Sequence, residues 1–100
     1  MPYNMRLSKK LRTLWKVKIQ DRETLYEEPH VTIWRKDEKW RYGLRTRCFL
    51  DPKPDPAEVP NEIVELIEAQ YKKLCQEWNA RFPQNPVTES EDDNANPSAL

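Results

Sequence analysis

His30–Lys36 (HVTIWRK) and Lys39–Leu50 (KWRYGLRTRCFL) decide the fold. Both runs put β-branched, aromatic and basic residues in near-alternation, the pattern of half-buried strands. Lys36-Asp37-Glu38-Lys39 between them is polar enough to turn. With Asp37 and Glu38 at the tip, Val31 faces Leu44, Ile33 faces Tyr42 and Arg35 faces Trp40. On the other face His30 meets Arg45, Thr32 meets Gly43 and Trp34 meets Arg41. This register separates apolar from polar side chains, and a one-residue slip would scramble both faces.

Upstream, Leu14–Gln20 (LWKVKIQ) also alternates. Trp15, Val17 and Ile19 share one side; Lys16, Lys18 and Gln20 share the other. That is a further strand with one buried face. Residues 1–13 form a basic, partly mobile N-terminus with a short helical turn at Ser8–Leu11. Asp21–Pro29 is a polar connection anchored by Leu25 and Tyr26. The single glycine, Gly43, sits inside a strand, where it marks a bulge or a ring lying flat on the backbone.

Downstream, Asp51-Pro-Lys-Pro-Asp-Pro is a stiff linker without backbone donors at its prolines. Asp55-Pro56-Ala57-Glu58 resembles a capping box, and Pro60 suits a first helical turn. One long helix is predicted over Pro60–Phe82. Ile63, Ile67, Leu74 and Trp78 make its apolar stripe, widened by Val64, Tyr71, Cys75 and Phe82. Glu62, Glu65, Glu68, Lys72, Gln76 and Asn79 fall on the wet side. Pro83 ends it, and residues 84–100 read as a disordered acidic tail.

The fold class is therefore α+β: a three-stranded antiparallel sheet with one long amphipathic helix packed on one face. Residues 14–83 make the single domain. Its predicted core is Trp15, Val17, Ile19, Val31, Ile33, Trp40, Tyr42, Leu44, Cys48, Leu50, Ile63, Ile67, Tyr71, Leu74 and Trp78. The unpaired sheet edges leave monomer and dimer both open, with the Lys-rich first strand guarded against pairing.

Composition narrows the function classes. No apolar run approaches the roughly 18 residues of a membrane span, and the basic N-terminus lacks the apolar core of a signal peptide. No membrane partner is expected. Cys48 and Cys75, without a CxxC pair, read as reduced core thiols. The net charge of zero hides an asymmetry: residues 1–50 carry 13 Lys/Arg against 6 Asp/Glu, and residues 51–100 carry 4 against 11. Either the basic half meets an anionic partner or the acidic half neutralises it.

The candidate binding face is Lys16, Lys18, His30, Thr32, Trp34, Arg41, Arg45 and Arg47, which alternation projects to the solvent side of the sheet. Basic side chains around an aromatic suit phosphate contact and base stacking, or an acidic protein surface. The plain alternative is a wet sheet face with a Trp34–Arg41 cation–π pair. His30, the sole histidine, has only Glu27 and Glu28 near it in sequence, a weak ligand set. Glu62, Glu65 and Glu68 read as a solvated helix face. No phosphate-binding, nucleophile-elbow, zinc or dinucleotide motif occurs, and no cofactor is read. The acidic run Glu89–Asp93 either shields the basic face, binds a basic partner or solubilises the terminus.

Glu28-Pro29-His30-Val31 followed by a strand and a Leu/Trp helix is similar to a family of small bacterial domains of unknown function. In that family a loop ends in a Pro-His dipeptide, often within Pro-His-x-His, ahead of a hairpin and a helix that ends in Trp. The similar residues here are Pro29, His30 and Val31, the strand Tyr42–Leu44, Pro60, Leu74 and Trp78, within residues 14–80. Thr32 departs from the pattern where many relatives carry a second His, which removes a histidine pair. Family members resemble partners in toxin–antitoxin-like gene pairs. The resemblance implies a bacterial cytoplasmic protein and binding rather than catalysis.

The leading expectation is a non-enzymatic binding or regulatory module that uses the basic sheet face on a protein. A nucleic-acid-binding protein using the same face is the alternative. A small enzyme using His30 is the third.

Overall fold

The computed structural model describes residues 3–20 and 27–87. Leu25, Tyr26 and the acidic run Glu89–Asp93 lie outside the described residues. The elements are β1 (Tyr3–Asn4), α1 (Lys9–Arg12), β2 (Trp15–Ile19), β3 (His30–Arg35), β4 (Glu38–Gly43), a single 3-10 turn (Pro56–Glu58), α2 (Asn61–Ala69) and α3 (Tyr71–Arg81). The fold is α+β, with an antiparallel sheet in the order β1-β2-β3-β4.

Four strands replace the three expected. The extra one is β1, which pairs Tyr3 with Ile19 and Asn4 with Lys18. The Met5 N–H extends the ladder to the Val17 carbonyl at 2.8 Å. Its basis is a short alternation, Tyr3, Met5 and Leu7 against Asn4 and Arg6, that puts Met5 and Leu7 in the core. Ser8 then caps α1, its hydroxyl accepting from the Leu11 N–H at 3.3 Å, and Leu11 is buried.

The β3–β4 hairpin forms, but two residues away from the expected register. Val31 faces Tyr42, Ile33 faces Trp40, and Arg35 faces Glu38. Lys36 and Asp37 form the tip, with Lys36 at φ 55°. The expected register would have set Lys36 opposite Lys39, a like-charge pair. The observed one closes the hairpin with an Arg35–Glu38 ion pair at 2.5 Å. A two-residue shift keeps every side chain on its own face, so the apolar and polar sorting survives.

The second strand also stops earlier than expected. After Gly43 the chain turns through residues 44–47, with Arg47 at φ 55°. It returns along β4: Gly43 N–H donates to Cys48 O (2.8 Å) and Leu50 N–H to Arg41 O (2.9 Å). Phe49 bridges Tyr42. Alternation therefore loses its meaning beyond Leu44. Cys48 is exposed and Leu50 half-buried, although both were placed in the core. Gly43 is needed for this return. A Cβ there would collide with the Thr46 hydroxyl and meet Leu50 at 3.0 Å.

The long helix is two, α2 and α3, with Gln70 between them at φ −107°, ψ 19°. The Gln70 N–H is shared between the Leu66 and Ile67 carbonyls at 3.0 and 3.2 Å. No Pro or Gly marks the break. An unbroken helix would rotate Trp78 about 60° away from Ile63 over that span. The interruption absorbs that drift, so Ile63, Ile67, Tyr71, Leu74 and Trp78 all stay buried. Asp55 caps the 3-10 turn by accepting from the Ala57 N–H at 2.9 Å.

The core joins Trp15, Val17, Ile19, Val31, Ile33, Trp40 and Tyr42 from the sheet to the helical stripe. Residues 84–87, expected to open the tail, dock on α3. Asn79 accepts from the Val87 N–H at 2.7 Å and donates to its carbonyl at 2.8 Å, and Val87 is buried. Among the described residues no helix is long and apolar enough to cross a membrane.

Candidate functional site

Alternating with Val31, Ile33 and Arg35, the other residues of β3 belong to three cross-strand rows. Lys16, Trp34 and Lys39 make the first. Lys18, Thr32 and Arg41 make the second. His30 and Gly43 make the third. The eight residues of the candidate face do not act as one surface.

His30 and Thr32 were expected to face solvent; both are buried, at 2% exposure. Alternation assigns a face but not what lies on it. His30 Nδ1 sits 2.7 Å from the Glu28 carbonyl, its Nε2 lies 3.9 Å from Glu27, and its ring leans on Trp78 at 5.5 Å. Thr32, short, lies between the long side chains of Lys18 and Arg41.

The three arginines are engaged within the molecule. Arg41 grips Asp51 through two nitrogens, at 2.8 and 2.7 Å, and reaches Glu27 at 3.3 Å. The Asp51 hydrogen bond raises the Arg41 pKa, and the same bond lowers that of Asp51. Arg45 lies 3.6 Å from Glu28 and donates to the Pro86 carbonyl at 3.0 Å. Arg47 pairs with Glu68 at 2.5 Å and covers the Tyr71 ring at 4.1 Å. Glu68 also accepts from the Tyr42 hydroxyl at 2.8 Å, so this cluster fastens the 44–47 turn to α2. Burial first, then that bond, pushes the Tyr42 pKa upward.

The lysines behave differently. Lys18 and Lys39 bring their ammonium groups to 5.9 and 5.4 Å from the Trp34 ring centre, from the strands on either side. Lys16 stands directly across from Trp34. Lys16, Lys18, Lys36, Trp34 and Leu14 line one hollow of about 300 Å³. Among the described residues, none of Lys16, Lys18, Lys36 or Lys39 has a carboxylate within 4.0 Å. The Trp34 indole N–H is buried without a hydrogen-bond acceptor among the described residues. Leu14, 47% exposed, is the only large exposed hydrophobic side chain among the described residues.

Sequence reasoning found Lys16, Lys18 and Trp34 and missed Leu14, Lys36 and Lys39. Lys39 follows from the register: the two-residue shift replaces Arg41 with Lys39 opposite Trp34. The clue was the like-charge clash of Lys36 and Lys39 at the expected tip. The arginine partners were not findable, because Asp51, Glu68 and Glu28 come from separate segments. Among the described residues, no three His, Cys, Asp or Glu side chains converge as a metal site needs. Comparison with protein-family models, curated proteins and solved structures gave no match to this chain.

Proposed function

We propose that the protein is a non-enzymatic binding module whose basic sheet face engages an acidic protein partner. One observation carries this reading: Lys16, Lys18 and Lys36 line the hollow at Trp34 and Lys39 lies over its ring, none with a carboxylate within 4.0 Å among the described residues, while Arg41, Arg45 and Arg47 are all paired internally. Unpaired like charges repel each other and attract an anion from a distance. The chemistry favours carboxylates over nucleic acid. The guanidinium forks best suited to phosphate are occupied. The likeness of Pro29-His30-Val31 to the Pro-His domains points the same way, to binding in a bacterial cytoplasmic setting.

The test is a chemical-shift titration of labelled protein with poly-glutamate and, separately, with single-stranded RNA, at low and physiological salt. Poly-glutamate is expected to shift Lys16, Lys18, Trp34, Lys36 and Lys39 and to leave Arg45 and Arg47 still. RNA binding without poly-glutamate binding would replace this reading with the nucleic-acid one.

A further inference from the structure

We propose that the hollow beside Trp34 is a docking site for a short acidic peptide segment carrying an aliphatic side chain between its carboxylates. This rests on the basic-face reading and adds to it the chemistry that selects one acidic segment from another. The hollow of about 300 Å³ is lined by Leu14, Lys16, Lys18, Trp34 and Lys36. Three of these five residues bring ammonium groups, and the other two bring apolar surface.

Leu14 is the informative residue. It directly precedes β2 and stays 47% exposed, whereas its neighbour Trp15 is buried. A purely electrostatic counter-ion surface gains nothing from an exposed leucine. An aliphatic side chain laid between Leu14 and the Trp34 ring would remove both from water. The flanking carboxylates would then reach Lys16 and Lys36 at the rim. Screening by water weakens each such pair, so the charges provide attraction and orientation while the apolar contact provides discrimination. The Trp34 indole N–H is buried with no acceptor among the described residues.

The arrangement fits a peptide better than a folded surface. Lys36 occupies the hairpin tip and Leu14 the residue before β2, so the site is small and open at one end of the sheet. A polar anion without an apolar arm leaves Leu14 wet. An apolar ligand without charge leaves the lysines uncompensated.

The experiment uses the full chain and three probes: a capped Glu-Glu-Leu-Glu-Glu peptide, the same peptide with Ser for Leu, and a single-stranded DNA oligomer of equal charge. Binding is followed by the Trp34 indole N–H signal and backbone amides. The Leu peptide is expected to bind at least tenfold more tightly than the Ser peptide. Leu14→Ser should erase that difference, and Lys16→Gln with Lys36→Gln should weaken both peptides, with unchanged circular dichroism in each variant. Equal binding of the two peptides overturns the aliphatic selection and leaves the basic-face reading standing. Binding of the oligomer alone overturns both, as does the absence of binding by any probe at low salt.

Discussion

Arg35 and Trp34 are neighbours on β3 and point to opposite faces, and each builds a cation–aromatic cluster. On the helix side one cation serves two rings. The Arg35 guanidinium lies 5.2 Å from the centre of Trp15 and 5.3 Å from that of Trp40, and it pairs with Glu38 and Glu58 at 2.5 Å. On the other side one ring serves two cations, and among the described residues no carboxylate lies within 4.0 Å of either. The first cluster is electrically closed. Its charge is met, its Trp40 N–H donates to the Asp55 carbonyl at 3.1 Å, and it ties the hairpin to the 3-10 turn. The second is open: its ammonium groups have no carboxylate within 4.0 Å, Lys39 acting on Asp51 only from farther off, and its indole N–H has no acceptor among the described residues. The same chemical parts hold the fold together in one case and, on the reading proposed above, leave a site for something else in the other. What separates them is the supply of acceptors.

The widest gap between the clusters should appear on truncating their indoles. Trp40→Ala, at a fully buried position, is expected to cost about 3–5 kcal/mol in urea unfolding. Trp34→Ala should stay within about 1 kcal/mol, in the range of surface changes. Comparable losses would make the Trp34 cluster structural. The cations come next. Arg35→Met strands Glu38 and Glu58 and should lower the urea midpoint with an unchanged slope, whereas Lys18→Met and Lys39→Met together should leave the midpoint where it is or raise it.

Acid gives a smaller effect. Asp51 titrates below its ordinary 3.8 because Arg41 holds it charged. A depressed carboxyl stabilises the fold above its unfolded pKa, and that share is lost as pH falls through the lowered folded value. Asp51→Asn should therefore reduce stability at neutral pH and flatten the fall below about pH 4. The smallest effect is that of salt. Screening relieves the repulsion among the four lysines, so stability should rise by a few tenths of a kcal/mol at moderate salt, and Lys39→Gln should remove part of the rise.

The sequence shows the sheet faces and the helical stripe because periodicity records which side of an element is dry. Apart from Cys48 and Leu50, every residue expected in the core is buried. Period-two alternation is blind to a shift of two, so the register of Val31 against Tyr42 had to come from charge pairing at Arg35 and Glu38. The break at Gln70 carries no proline or glycine. Its cause is tertiary, the need of two helical segments to keep facing one sheet. Half of the candidate site was legible: Lys16, Lys18 and Trp34 follow from alternation. The burial of His30 and the pairing of Arg47 with Glu68 were not, since both depend on segments brought together only by folding.

The return of the chain from Cys48 to Leu50 has a consequence for behaviour in a crowded solution. The outward groups of Arg41 and Gly43 are already engaged, so the border of β4 offers a neighbour little template for growth. Strand exchange or fibre formation through that border must wait until the 44–47 turn lets go. The Glu68 contacts with Arg47 and the Tyr42 hydroxyl hold that turn in place. Variants that loosen this turn are expected to expose the border of β4 to a neighbouring strand.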